Sequence, residues 1–79
     1  MKRVKNSRNL LNEYEREELS KRISYLTERL GDVRITFDFV TDERTIDALI
    51  YEENALLCRI EALHREARER GISVQPYER

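Results

Sequence analysis

The sequence predicts an all-α fold: an antiparallel helical hairpin of two long helices, roughly residues 10–40 and 42–70. Three observations carry this expectation. Apolar residues recur at alternating steps of four and three through the first half of the chain, and a second such series runs through the second half. The Thr41-Asp42-Glu43-Arg44 corner between them is short, which makes the two helices antiparallel neighbours. Only 2 glycines and 1 proline occur in 79 residues, a composition that suits long helices and opposes a turn-rich β fold.

The first series is Leu19, Ile23, Leu26, Leu30, Val33, Phe37 and Val40, the spacing of a coiled-coil seam. It runs through Gly31, where glycine costs about 1 kcal/mol relative to alanine, so a weak point is expected there. A competing pattern overlaps its end. Val33, Ile35, Phe37 and Phe39 alternate with Arg34, Thr36 and Asp38, which in isolation reads as a strand. The one other extended candidate is the stretch 72–74, and a two-stranded sheet that small is marginal. Continuity of the seam favours helix over residues 33–40.

Thr41 or Asp42 suits the N-cap of the second helix, with Glu43 at the positive end of its dipole. The second series is Ile46, Leu49, Glu53, Leu56, Ile60, Leu63 and Ala67. Gly71 is the expected C-cap, with arginines in the last turn. Residues 1–9, with Lys2, Arg3, Lys5 and Arg8 and no acid, read as a flexible basic arm. Residues 10–71 form the hairpin domain and 72–79 a short tail, where Pro76 prevents a helix from resuming.

Folded about the corner, the two series mate. Val40 faces Ile46, Phe37 faces Leu49, Val33 faces Glu53, Leu30 faces Leu56, Leu26 faces Ile60, Ile23 faces Leu63 and Leu19 faces Ala67. Every layer but that of Glu53 is apolar on both sides. Two separate patterns thus agree with one loop length. Tyr25, Ile35, Phe39, Ile50, Tyr51 and Leu57 fall outside or beside this seam and form the candidate interface. A chain this short rarely gains more than ~3–5 kcal/mol from one core and usually needs a staple. The lone Cys58 supplies no internal disulfide, so association is the expected one. A homodimer forming a four-helix bundle, or a helical protein partner in a groove, satisfies that need.

Few residues suggest chemistry. Glu53, inside an apolar seam, is a candidate buried polar group, expected to pair with Arg29 or Arg34 across the hairpin. His64 is the second such group, half-buried near Ser20 or Arg22. Glu61 and His64 share the Glu-x-x-His spacing of di-iron bundles, but the first helix offers no inward glutamate opposite, and neither a metal nor another cofactor is expected. Cys58 lies beside Arg59, with the single histidine on another face, so no Cys–His pair is evident. There is no glycine-rich phosphate loop and no Ser/His/Asp set, and catalysis is not expected. The net charge of −1 supplies no global field toward nucleic acid. The basic arm and Arg59, Arg65, Arg68 and Arg70 could touch phosphates, yet Glu61, Glu66 and Glu69 interleave with the later cluster. No secretory signal or membrane-spanning run is visible, and the expected compartment is the cytoplasm.

The stretch from Phe37 to Val74 resembles a known family. Its landmarks are Val40-Thr41-Asp42 after an aromatic residue, Ile50-Tyr51-Glu52 early in the next helix, and Arg65-Glu66-Ala67-Arg68 near its end. These are similar to the small YaaL-like proteins of Gram-positive bacteria, a family of unknown function. The chain departs from them at Glu43, where many relatives have proline, and at Gly31 and the β-branched residues after it. The resemblance implies a helical protein with no assigned catalytic residue, and an adaptor or regulatory role linked to sporulation or cell development. The expected function is therefore a non-enzymatic protein–protein interaction module, the alternative being a nucleic-acid accessory protein that uses the basic arm.

Overall fold

The computed structural model describes residues 7–74, with side chains from Leu10 onward. Two helices, α1 (Ser7–Phe37) and α2 (Glu43–Arg70), pack against each other as an antiparallel hairpin, and no strand occurs among the described residues. The seam decides which residues are buried. Leu30, Val33, Leu49, Leu56 and Ile60 form one core cluster, with Leu26, Phe37, Val40 and Leu57 packed at its edge. Leu19, Ala67 and Ile72 form a second, flanked by Leu63 and Val74. Ile23 is buried as well. Leu30 alone is fully enclosed, at 0% exposure.

Ion pairs between the helices hold the register. Arg29 Nη2 lies 3.1 Å from Glu52 Oε2, Arg34 Nε 2.9 Å from Glu53 Oε2, and Arg70 Nη1 3.5 Å from Glu15 Oε2. All are at least partly exposed, so they specify alignment more than stability.

Both ends of α1 and the start of the tail differ from expectation. α1 stops at Phe37, not residue 40. The N–H groups of Asp38 and Phe39 donate to the carbonyls of Ile35 and Thr36 at 3.0 Å each, tightening the chain into a turn. Thr36 Oγ1 also donates to the Asp32 carbonyl at 2.8 Å. The chain must leave the helix here because Asp42 caps α2 from an extended conformation (φ −72°, ψ 127°). Val40 still reaches the core edge, but from the turn. α1 also begins at Ser7, so the end of the expected arm is helical; residues 1–6 lie outside the described residues.

α2 ends at Arg70 with Gly71 as its C-cap, as expected; the third difference lies in the residue after the cap. Gly71 adopts φ 70°, which only glycine accepts without strain. Its N–H donates to the Arg68 carbonyl at 3.1 Å, and the Ile72 N–H to the Ala67 carbonyl at 2.8 Å. These paired bonds form a Schellman motif, and it turns Ile72 back onto Leu19 and Ala67. The first residue of the expected tail is thus a core residue; Pro76 lies outside the described residues.

At the α2 N-terminus, Asp42 Oδ2 accepts from the Thr45 N–H at 2.9 Å and from Thr45 Oγ1 at 3.0 Å. These bonds hold the Asp42 carboxyl below its ordinary value, the backbone bond from Thr45 first.

Two outcomes are expected. Leu30→Ala should cost about 2–5 kcal/mol, as much as a core this size provides, and leave the chain largely unfolded by circular dichroism at 222 nm. An unchanged melting temperature would contradict the burial assigned to the seam. For Asp42, a lowered folded pKa means its stabilisation is complete above the unfolded value and is lost as pH falls through the folded one. Asp42→Asn should therefore melt below the parent at neutral pH and converge with it in acid, as thermal scans across pH would reveal.

Candidate interaction surface

The seam divides the rod into two flanks, each marked by an ion pair. One carries Arg29–Glu52, the other Arg34–Glu53. The six candidate interface residues do not share one of them. Tyr25 is on the first flank: its hydroxyl accepts from Arg29 Nη1 at 3.5 Å, and it lines a hollow with Lys21, Arg22, Arg59 and Ala62. Ile50 and Leu57 are on the second, one turn to either side of Glu53. Ile35 and Tyr51 project from the outer faces, and Phe39 sits in the turn, 80% exposed.

Five of the six are exposed apolar or aromatic groups. Leu57 is the exception, being half-buried against the core, because the opposite residue of α1, Thr27, is small enough to let it lean inward. Ile50 stays 43% exposed, since its counterpart is Arg34, whose guanidinium is drawn toward Glu53.

Glu53 is not a buried group. Its side chain is 27% exposed and bonds Arg34 at 2.9 Å, one of the two arginines expected. A carboxylate at a seam position is tolerated because the rod is only two helices thick, so even a seam side chain can bend its head to the flank. No buried polar or charged residue occurs among the described residues. His64 is half-buried, but its Nε2 is enclosed and has no hydrogen-bond partner. It follows Ile50 and Leu57 along one row of α2, a heptad apart each time.

Leu10, Leu11 and Tyr14 are exposed apolar groups absent from the candidate set. In the observed register α2 ends opposite residue 16 or so, and α1 projects roughly two turns beyond it. The signal was present: the seam positions before Leu19 are Asn12 and Arg16.

Cys58 is exposed. No group of three or more His, Cys, Asp or Glu that could hold a metal occurs among the described residues, and Glu61 is exposed beside His64. Of the arginine cluster, Arg70 is engaged by Glu66 at 2.7 Å and Glu15 at 3.5 Å. No helix among the described residues is long and apolar enough to cross a membrane. No family model, curated protein or solved structure matches the chain.

The orphaned His64 Nε2 yields a stability test. An enclosed polar atom without a partner costs about 1–3 kcal/mol, and an apolar replacement of similar size removes that cost. His64→Leu should raise the melting temperature in differential scanning calorimetry. A fall of several degrees would mean that the imidazole makes a stabilising bond.

Proposed function

We propose that this protein is a non-enzymatic interaction module that pairs with a second copy of itself to form a four-helix bundle. The observation that carries this reading is Gly31. It lies mid-helix with an ordinary helical backbone, and a Cβ built on it would meet nothing within 4 Å. The hairpin itself therefore gives no reason for glycine at a position where it weakens the helix. Close approach of another helix from outside supplies one. Gly31 stands on the α1 side of the flank that holds Ile50 and Leu57, in line with Thr27 and Ser24 one and two turns earlier and Ile35 one turn later. Small or uncharged residues dominate that strip, and Ile50 on the α2 side is 43% exposed. A second copy offers the same relief and apolar content, as a two-fold interface requires.

The resemblance of residues 37–74 to the YaaL-like proteins supports an adaptor role in a sporulation or cell-development pathway. The lone, exposed Cys58 supports a reducing compartment such as the cytoplasm.

Sedimentation velocity across a wide concentration range tests the pairing. The expected result is a monomer–dimer equilibrium that Ile50→Glu shifts to monomer. Gly31→Ala should stabilise the hairpin by about 1 kcal/mol while weakening self-association. A folded strict monomer at high concentration sinks the proposal, and so does a dimer that ignores both substitutions.

A further inference from the structure

The flank opposite Gly31 carries a charge pattern that the hairpin does not resolve. Positions across it repeat every heptad away from the turn, starting from the ion pair Arg29–Glu52 at 3.1 Å. One heptad further along both helices, the equivalent positions hold Arg22 and Arg59, two like charges. A further heptad on they hold Glu15 and Glu66, again alike. That acidic pair is neutralised within the chain, because Arg70 bonds both, at 3.5 and 2.7 Å. Arg22 and Arg59 have no such bridge: neither makes an ion pair or hydrogen bond among the described residues, nor does the adjacent Lys21.

These three cations rim a hollow of about 510 Å³ whose floor is Tyr25, Leu26, Ala62 and Leu63. Like charges held across such a gap are destabilising, and a substitution at either would relieve them. We propose that this trough is a docking site for an acidic amphipathic helix of another protein, whose carboxylate enters between Arg22 and Arg59 while a neighbouring apolar side chain fills the hollow. The apolar floor suits a side chain rather than a phosphate backbone. Carboxylates bound the cations on both sides, Glu18 and Glu66 lining the next hollow and Glu52 the one before it. The basic patch is therefore an island, not the continuous track that a nucleic acid needs.

The test uses two designed helical peptides with one leucine stripe, flanked by glutamates in one and lysines in the other, and a duplex DNA of matching length. The full chain should bind the glutamate peptide and neither of the others. Arg59→Glu rebuilds the Arg29–Glu52 arrangement one heptad on. It should raise the melting temperature by roughly 3 °C and weaken glutamate-peptide binding at least tenfold. Arg22→Glu should weaken that binding likewise but without the gain in stability, because Glu15, Glu18 and Glu66 line the hollow on its other side. The double substitution restores a like-charge pair of opposite sign and should prefer the lysine peptide. The proposal is overturned by equal binding of both peptides, by tighter binding of the DNA, or by an Arg59→Glu variant that melts no higher than the parent. If Arg59→Glu instead abolishes self-association, the occupant is a second copy and this assignment is wrong.

Discussion

One apolar stripe on each helix, buried against the other, is the constraint from which the rest of this molecule follows. Two helices in contact can each hide a single narrow band, and here that band runs from Leu19 to Phe37 on α1 and from Ile46 to Ala67 on α2. Among the described residues only Leu30, near the middle, is closed off completely. Among the described residues no third element covers the flanks, so apolar side chains outside that band, such as Tyr25, Ile35, Phe39, Ile50 and Tyr51, are left in solvent. The end devices then matter more than they would in a larger domain. Asp42 fixes where α2 begins, and Gly71 and Ile72 fix where it ends and add a core residue in doing so.

The seam was legible because a heptad pattern and a short corner are both local properties of sequence, and each layer could be checked against the other helix. The caps were legible from residue type, with Asp42 taking the N-cap for which Thr41 was equally a candidate and Gly71 the C-cap, and Glu53 pairs with Arg34, one of the two arginines expected. The misreadings share a different cause. The end of α1 depended on the path a chain must take to enter an extended cap, which periodicity does not encode, so Val40 was drawn into the helix. Ile72 was passed over because its burial comes from a capping motif rather than from the seam, although an apolar residue directly after a C-terminal glycine is that motif's signature. The overhang of α1 was written in Asn12 and Arg16, yet it emerges only when the relative helix lengths are known.

For the surface, sequence spacing picked out exposed apolar residues but not which of them share a side. Assigning flanks required the ion pairs, which set Tyr25 apart from Ile50 and Leu57. Once assigned, the flanks prove chemically unlike. The one beside Gly31 is small and weakly charged; the one beside Tyr25 is dense with arginine and glutamate. The proposed self-pairing and the proposed docking of an acidic helix would therefore use different sides of the rod.

The hairpin topology also orders the contacts by the length of chain they enclose. Layers beside the Asp42 corner close a loop of only a few residues, whereas the Leu19–Ala67–Ile72 cluster joins opposite ends of the described chain. Loop-closure entropy grows with that length, so assembly is easiest at the corner and proceeds outward like a zipper. The same gradient read backwards makes the far end the first to open. Ile72, locked by the Gly71 cap, acts as the latch that keeps native fluctuations from running inward along the rod.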